Sequence, residues 1–594
     1  MAYSSGITRS QQVQFGGLRH HPNAGDGEIY DMENMSARDY PLLRSRDKRR
    51  NGGELVDATE MFFDNHAMWY VNADGWLWYK RALLILSVAY IGAGETKFIR
   101  FGDRIVLMPA KKLVQAKYTV VGTAANPAAL PTSAEKGTAY VINTNNDPQA
   151  PEWSLFVWTG DEWDSMGAWV VSMEAELTAT KITISDGTIY GAAATANTLT
   201  INLPASADLA KAGFQAGDAV EIDGLTTEPD NNKIAIIREI GSKSIAFSDY
   251  CFKIPLSASG EKQTSYSETG TITLRRSVPD MDVCFEFENR LWGADKKEIF
   301  ASALGDPTNF YVFDGLSTDS WYVELQTRGE ITGGIGWHYP TFFREGYILR
   351  IYGEDATTFQ TSEILAPGVA HGMQHSLGAA GGLLFYYSPQ GMMAYDGDYP
   401  QDLQQVFGPS EYSGGLAQSD GTDYYIQLTP NQDGPRIYHY DGLRGIWTVE
   451  DSPNIDSMAL TEGAETLLPS IIAMTTGKEL TTLKGPGGPW AENKAAVESF
   501  VEFADFTMES PNRKAVSKLL LRLSLMGTSV TVKIQYDSSG TWKSVATLTA
   551  AGKRSYYLPV VPHRCDHFRV RIEATGEWAL HSLAIEYYAG SALH

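Results

Sequence analysis

The chain of 594 residues has only three cysteines, Cys251, Cys284 and Cys565, and they lie far apart. An odd, scattered set of this kind matches neither a disulfide framework nor the paired spacing of a zinc site. We therefore expect three buried, reduced thiols. The simplest compartment for folding is then a reducing cytoplasm.

Long apolar runs and an excess of basic residues are missing as well. The most apolar stretch, 82–90, is too short for a bilayer span, which needs ~20 residues. Residues 1–14 contain no continuous apolar region of the kind found in signal peptides. We expect a protein with no membrane anchor that is not exported by the usual route. Its net charge of −23 makes it a poor general binder of nucleic acid or anionic membranes.

Catalytic and metal-binding patterns are also missing. His20 and His21 are adjacent, so their side chains point to opposite sides of an extended chain. His563 and His567 have the i, i+4 spacing of a helical metal site, but they lead into a predicted strand. The glycine-rich run 332–336 lacks the strand and helix that flank a phosphate-binding loop. We predict no catalytic residues, no metal and no cofactor.

What the chain does contain is aromatic residues and glycine in a β pattern, with 30 Tyr and 56 Gly. In the stretch 285–315, apolar and polar residues alternate at 284–287 and again at 309–313. This alternation predicts a hairpin, then a Gly-Asp-Pro loop that leads into a third strand. Similar aromatic strands with Asp-Gly turns recur on both sides, at Asp74-Gly75, Asp396-Gly397 and Asp441-Gly442.

These repeats predict an all-β chain whose largest part is a β-propeller. Segments 51–116 and 276–485 carry the pattern, and at ~40–45 residues per blade they make about six or seven blades. The intervening residues, 117–275, are predicted to be inserted β modules at 117–170 and 171–275, the second a small barrel or sandwich. Both are placed between blades. A Gly-Pro linker at 485–489 precedes a C-terminal β-sandwich of jelly-roll type, 489–594.

Two basic segments depart from the acidic composition. The first lies at the end of an extended N-terminal docking segment, 1–50. Between residues 38 and 50, six basic residues face two acidic ones, a net of +4. One interpretation is that this segment is a solvated strand edge. The other is that it contacts an acidic neighbouring subunit or DNA phosphates. The candidate contact residues are Arg38, Arg44, Arg46, Lys48, Arg49 and Arg50.

The second basic segment belongs to the predicted C-terminal sandwich. Residues 511–575 contain eleven Lys or Arg and three Asp or Glu, a net of +8. A basic domain on an acidic body favours head-to-tail contact between copies, the geometry that closes rings. The candidate inter-subunit residues are Arg513, Lys514, Lys518, Arg564, Arg569 and Arg571.

Several short motifs resemble one family. Gln14-Phe15-Gly16-Gly17-Leu18, then Glu33-Asn34-Met35-Ser36 and Pro41 to Arg46, resemble the start of tail nozzle and DNA-stabilisation proteins of short-tailed bacteriophages. The segment 289–310 is similar to the propeller signature of that family, and 562–568 with 588–591 to the end of related phage propeller proteins. The insertion at 117–275 is not covered, and Leu43-Arg44-Ser45-Arg46 departs from the usual Arg-Pro-Gly.

This resemblance implies a non-enzymatic virion component. It implies a ring, expected to contain six copies, that forms or gates the DNA conduit of a tail or neck. Expected partners are other copies, a tail adaptor or other tail proteins, and double-stranded DNA passing without sequence specificity. The protein would be made in the host bacterial cytoplasm and reside in the virion tail. The alternative is a carbohydrate-binding or glycoside-cleaving propeller used for host-surface recognition, with aromatic residues and carboxylates at its central mouth.

Overall fold

A computed structural model describes residues 7–21, 23–64, 67–144, 153–187, 196–201, 208–247, 251–409, 411–431, 433–462, 469–485, 491–492, 495–510 and 512–589. Beyond Gly485, the predicted linker 485–489 lies outside these residues. Over the described ranges the chain is all-β, with many small sheets and one closed barrel. These ranges include one short α-helix, α1 Gln404–Phe407, and no helix long and apolar enough to cross a membrane.

The strands are numbered in chain order. The first group is β1 Ile7–Gln12, β2 Ile29–Glu33, β3 Met35–Ser36, β4 Leu43–Ser45, β5 Arg50–Glu54, β6 Ala58–Asp64, β7 Ala67–Asn72, β8 Trp76–Arg81, β9 Leu84–Tyr90, β10 Lys97–Phe101, β11 Arg104–Met108 and β12 Lys112–Gln115. The second group is β13 Val120–Ala124, β14 Ala139–Ile142, β15 Ser154–Trp158, β16 Trp163–Ala168, β17 Val170–Ser172, β18 Ala175–Gly187, β19 Ala196–Ile201, β20 Ala219–Asp223, β21 Lys233–Ile240, β22 Ser244–Phe247 and β23 Ser265–Arg276.

The third group is β24 Val283–Phe287, β25 Arg290–Asp295, β26 Glu298–Ala301, β27 Trp321–Glu324, β28 Gly333–Trp337, β29 Tyr339–Arg344, β30 Tyr347–Tyr352, β31 Gln360–Leu365, β32 Gly378–Ala380, β33 Leu383–Ser388, β34 Gly391–Tyr395, β35 Gln401–Asp402, β36 Tyr412–Ser419, β37 Asp423–Pro430, β38 Arg436–Asp441, β39 Ile446–Asp451, β40 Ile455–Glu462, β41 Pro469–Thr475 and β42 Glu479–Lys484. The last group is β43 Ala491–Glu492, β44 Glu498–Phe503, β45 Lys514–Leu525, β46 Ser529–Tyr536, β47 Lys543–Leu548, β48 Gly552–Pro559, β49 Arg564–Cys565, β50 Phe568–Thr575 and β51 Trp578–Ala589.

The first of two compact units comprises Met1–His66, Arg344–Tyr347 and Leu365–His594. It contains two large sheets, built mainly from C-terminal strands. One follows the order β3-β4-β51-β45-β48, with β1 beside β51 and β49 beside β45, and the other the order β2-β44-β50-β46-β47. Alternation in the second half of β45 turns Leu519, Leu521 and Leu523 inward, where they join one core with Val532 and Ile572 of the second sheet.

The N-terminal residues, predicted as a separate docking segment, are instead strands of these two sheets. β1 and β4 pair with β51, and β2 pairs with β44. Phe15 is 1% exposed and packs against Phe503 with ring centroids 6.1 Å apart. Gly17 has φ +88°, and a Cβ there would lie 2.5 Å from Ile446 Cγ2, so only glycine fits this approach to β39.

Three smaller sheets complete the first unit: β32-β33-β34-β35, β36-β37-β38-β39 and β40-β41-β42-β5-β43. The last sheet takes β5 from the N-terminal part of the chain. The first strands of consecutive sheets are neighbours, in the succession β32, β36, β40 and β6. Their faces are aromatic, and the side chains of Phe385, Tyr424 and Trp447 pack together in edge and stacked contacts.

The second unit comprises Ala67–Phe343 and Ile348–Ile364. It holds the antiparallel strands β7-β8-β9 and the sheets β10-β11-β12-β17, β24-β25-β26-β27 and β28-β29-β30-β31. Here too the first strands β10, β24 and β28 lie side by side. The Asp74-Gly75 turn joins β7 and β8 as predicted, with Gly75 at φ +84°.

Both predicted inserted modules are β structures. The first is the sheet β13-β14-β15-β16, and the second is a closed barrel in the order β18-β19-β22-β21-β20-β23. Of the barrel and sandwich alternatives, the barrel is therefore the one found. The first module does not lie between two units of the repeat as predicted, because it is inserted within one sheet, between β12 and its partner β17.

The third strand predicted at 309–313 is also wrong, because these residues form a loop. Asn309 forms two hydrogen bonds with residues of the barrel. Its Nδ2 donates to Gly217 O at 2.7 Å, and its Oδ1 accepts from Ala219 N at 3.2 Å. Phe310 is 1% exposed within the neighbouring core. The alternating pattern at 309–313 therefore belongs to a loop that packs against the barrel and the neighbouring core. The fourth strand of the sheet β24-β25-β26-β27 is β27, which follows this loop.

Candidate interaction surfaces

The N-terminal basic residues Arg46 and Arg49 lie in a buried ion-pair cluster within the first unit. Arg49 Nη2 is 2.9 Å from Glu450 Oε2 and donates to Asp451 O at 2.8 Å. Arg46 Nη2 is 2.8 Å from Asp451 Oδ1, and its Nε is 3.5 Å from Glu450 Oε2. The side chain of Glu450 is only 6% exposed. Both arginines therefore join the N-terminal segment to β39 and are not free for a partner.

Asn34 completes this cluster from the turn between β2 and β3. It has φ 56°, a left-handed conformation that asparagine tolerates better than most residues. Its Oδ1 accepts from Arg46 Nε at 2.7 Å and from Asp451 N at 3.1 Å, and its Nδ2 donates to Glu498 O at 2.7 Å. The asparagine of the Asn-Met motif thus has a structural role that the sequence did not reveal.

The remaining N-terminal candidates do not form a continuous basic strip. Arg38 pairs with Asp47 at 2.8 Å, and Arg44 pairs with Asp39 at 3.2 Å and with Asp47 at 2.7 Å. The backbone N–H of Arg50 donates to Thr482 Oγ1 at 2.9 Å in the sheet that contains β5.

Lys48 is half-buried and lines a cavity of about 450 Å³ together with Arg46 and Arg49. Within the described residues it has no ion pair. Glu33, which also lines this cavity, has a raised pKa because it is buried and lies near Asp451 and Asp31, although Arg436 opposes the shift. The cavity is therefore mixed in charge, without the excess of cations that a phosphate backbone requires.

Of the C-terminal candidates, Lys514 is 2% exposed and its Nζ donates to Ser510 O at 3.1 Å and to Asp566 O. It cannot contact a neighbouring subunit from this position. Arg513 and Arg564 are exposed, as predicted for contact residues. Lys518 is also exposed, on β45, and its Nζ lies 3.3 Å from Glu586 Oε2.

Arg569 and Arg571 lie on the outer side of the second large sheet, where they form ion pairs within the chain. Arg569 contacts Asp505 at 2.7 Å and Glu502 at 3.2 Å, and Arg571 contacts Glu502 at 3.2 Å and Glu573 at 2.8 Å. The guanidinium of Arg571 also lies 3.8 Å from the ring centroid of Phe500. This face is therefore largely neutral.

The predicted contact residues leave out other exposed cations of the C-terminal region, among them Arg522, Lys553 and Arg554. The pKa of His581 is lowered, first by burial and then by the positive charges of Lys553 and Arg522. The register of β45 with β48 places these two cations on the same side of the first large sheet. The sequence does not indicate the pairing of β45 with β48 and β51 that produces this arrangement.

A second buried charge cluster lies at the turn between β36 and β37. Lys484 Nζ contacts Asp420 Oδ2 and lies 2.6 Å from Asp423 Oδ2. His439 Nε2 is 3.6 Å from Asp423 Oδ1, a distance too long for a hydrogen bond. Burial alone would raise the pKa of Asp423, but His439 and Lys484 lower it to about 2.

This shift predicts a specific acid sensitivity. The folded-state pKa of Asp423, about 2, lies below the ordinary value of 3.8, so ionised Asp423 stabilises the folded state. This stabilisation is complete above about pH 4 and is lost as the pH falls through about 2. We expect Asp423→Asn to lower the free energy of unfolding by about 2 kcal/mol at pH 6, and the deficit to shrink toward pH 2. Urea unfolding at several pH values measures this. Asp433→Asn, at an exposed carboxylate, is the control, and a deficit independent of pH would contradict the assignment.

Within the described ranges, one group of three side chains has metal-ligand spacing: Asp537, Asp566 and His567, with ligand atoms within 4.8 Å of one another. Both ring nitrogens of His567 are already engaged, Nδ1 with Asp566 Oδ1 at 2.6 Å and Nε2 with Ser538 Oγ at 2.7 Å. Both carboxylates are exposed. The arrangement is therefore explained by hydrogen bonds, and the predicted absence of a metal stays a prediction.

No family model and no curated protein matches the chain. Solved structures resemble it only weakly. The computationally designed Ika8 protein is 9% identical with a TM-score of 0.31, over 73% of this chain and 99% of that one. Raptor of Chaetomium thermophilum is 10% identical with a TM-score of 0.27, over 73% and 29%. An exo-beta-1,3-galactanase of Phanerochaete chrysosporium is 8% identical with a TM-score of 0.20, over 51% and 94%. Likenesses at this level carry no argument about function.

Proposed function

We propose that the four-stranded antiparallel sheets within each unit are β-propeller blades, the finer architecture that the sequence predicts. The support is the order of the strands. In a propeller each blade is a four-stranded antiparallel sheet, and the first strands of the blades surround a central channel. The successions β32, β36, β40, β6 and β10, β24, β28 have this arrangement within each unit. The sheet that combines β5 with β40-β41-β42 joins the N-terminal strand to the last blade.

We propose further that the protein is a non-enzymatic structural component of a bacteriophage tail. It forms a nozzle-like ring that conducts or gates DNA, and it docks onto an adaptor or another tail protein in the virion. The observation that carries this proposal is the role of the signature residues. Phe15, Gly17, Asn34 and Arg46, which carry the resemblance to tail nozzle proteins, are joints between the N-terminal strands and the rest of the first unit. Framework roles of this kind fit a rigid building block.

An acidic body suits a conduit for DNA. The net charge of −23 repels the phosphate backbone, so a passing duplex is not retained by the walls. The same charge leaves the basic C-terminal region as the natural contact for neighbouring copies, since opposite charges favour heterologous, ring-closing interfaces.

Light scattering of the purified protein at several salt concentrations tests this function. We expect a species near six times the chain mass of 65.2 kDa in ~0.1 M salt. In ~1 M salt, where charges are screened beyond about 3 Å, we expect partial dissociation. A monomer of 65.2 kDa at every salt and protein concentration would contradict self-assembly into a ring.

A further inference from the structure

The two large sheets of the first unit differ in the charge of their outer faces. On the second sheet, Arg569 and Arg571 are neutralised by Glu502, Asp505 and Glu573. On the first sheet, the outward side chains follow from the register of β45 with its neighbours. Strand alternation places Lys518, Leu520, Arg522 and Ser524 on one side, opposite the buried leucines.

The register across the first sheet arranges this side in rows. The first row contains Arg9, Glu586 and Lys518. The second contains Gln11, Ala584, Leu520 and Tyr557. The third contains Ser582, Arg522 and Ser555, and the fourth Ser524 and Lys553. We call Arg9, Lys518, Leu520, Arg522, Lys553 and Tyr557 the basic face.

The basic face has the anatomy of a protein interface. Its second row offers apolar surface, since Tyr557 is 68% exposed beside the half-buried Leu520. Cations flank this row on both sides. The one carboxylate among the four rows, Glu586, is 6% exposed and already contacts Arg9 and Lys518. An aromatic anchor within a charged rim is typical of contact surfaces between proteins.

We propose that the basic face binds the acidic surface of a second copy of this chain and is the contact that joins neighbouring subunits. This inference rests on the ring proposed above. Charge complementarity identifies the occupant, because the exposed charged residues among the described part of 276–485 are fifteen acidic and three basic. A DNA backbone is the competing occupant. It satisfies the cations but offers no apolar surface to Leu520 and Tyr557.

The basic face differs from the interface predicted from the sequence. Of the six residues predicted from the sequence, it retains only Lys518. Arg513 and Arg564 are exposed but lie outside the four rows, near the start of β45. They therefore supply a matched control, since reversing two charges there changes the net charge of the protein by the same amount.

The test is the mass of Arg522→Glu/Lys553→Glu by light scattering in ~0.1 M salt, beside Arg513→Glu/Arg564→Glu and Tyr557→Ala. We expect the first double variant to shift from the oligomer toward the 65.2 kDa monomer and the control to keep the mass of the unmodified protein. Tyr557→Ala should weaken assembly with little change in its salt dependence. An unchanged mass for Arg522→Glu/Lys553→Glu overturns the proposal while leaving the ring itself intact.

A second measurement does not depend on the folding of any variant. A carbodiimide couples lysine amines directly to contacting carboxylates, and a mixture of ¹⁴N- and ¹⁵N-labelled protein distinguishes links between chains from links within one. We expect isotopically mixed links from Lys518 or Lys553 to carboxylates at 276–485. Links confined to single chains overturn the proposal. Loss of duplex binding in a gel shift by Arg522→Glu/Lys553→Glu, with the oligomer mass unchanged, also overturns it and assigns the face to DNA.

Discussion

Glu450→Gln is expected to lower the free energy of unfolding of the first unit by about 3–5 kcal/mol, because it leaves buried guanidinium groups undercompensated. Glu450 lies 2.9 Å from Arg49 and 3.5 Å from Arg46, and the side chains of all three are at most 11% exposed. Glutamine preserves the shape of the side chain, so the loss reports charge rather than packing. Calorimetry should show the transition of this unit roughly 10 °C lower.

The matched control is Asp47→Asn. Asp47 also pairs with two arginines, Arg38 and Arg44, but its side chain is 57% exposed. Exposed pairs contribute about 0–1 kcal/mol, so this variant should unfold close to the temperature of the unmodified protein. Equal shifts of the unfolding temperature for Glu450→Gln and Asp47→Asn would show that burial of the ion-pair cluster does not determine its contribution to stability.

Arg290→Met is expected to open the loop between β26 and β27 in the second unit. Arg290 is 3% exposed and donates to three loop carbonyls, Ser302 O at 2.8 Å, Asp319 O at 2.5 Å and Ser317 O at 2.7 Å. Methionine fills similar space but leaves these acceptors unpaired, at about 1–3 kcal/mol for each buried group. Hydrogen–deuterium exchange of peptides covering 303–320 should accelerate by at least about tenfold.

Two further variants show whether the planar guanidinium group, with its several N–H donors, is what holds the loop between β26 and β27 in place. Arg290→Lys keeps the charge but cannot reach three carbonyls from one planar group, so exchange should still accelerate. Arg328→Met removes an exposed arginine of the same unit and should leave the loop unchanged. If Arg290→Lys exchanges like the unmodified protein, charge rather than geometry holds the loop.

Local turn chemistry explains which parts of the fold the sequence could predict. Asp74-Gly75 specifies a tight hairpin between two aromatic strands, and β7 and β8 form there. The short barrel strands β21 Lys233–Ile240 and β22 Ser244–Phe247 are apolar runs of the kind that indicates a β module at 171–275. The long strands β18 and β23, which close the barrel, are harder to predict because their polar residues hide the alternation.

Pairing between distant segments explains what the sequence could not predict. Nothing near β2 indicates that its partner is β44, and nothing near Arg49 indicates Glu450. The predicted contact sets therefore mixed two kinds of residue. Some are bound to partners within the chain, as are Arg46, Arg49 and Lys514. Others, such as Lys518 and Arg513, remain exposed. Charge counts along a chain cannot separate these kinds without the register of the strands.

The incorporation of β5 into the sheet of β40, β41 and β42 also sets an order of events on the ribosome. The N–H of Arg50 bonds to Thr482, 432 residues later. At about 5–20 residues per second, that partner emerges roughly 20–90 s after β5 has left the exit tunnel. During this time β5 is a strand without its sheet, open to pairing with other nascent chains. Its two glycines and flanking charges, in Arg50-Asn51-Gly52-Gly53-Glu54, disfavour such pairing, and a chain truncated before Thr482 cannot complete this sheet.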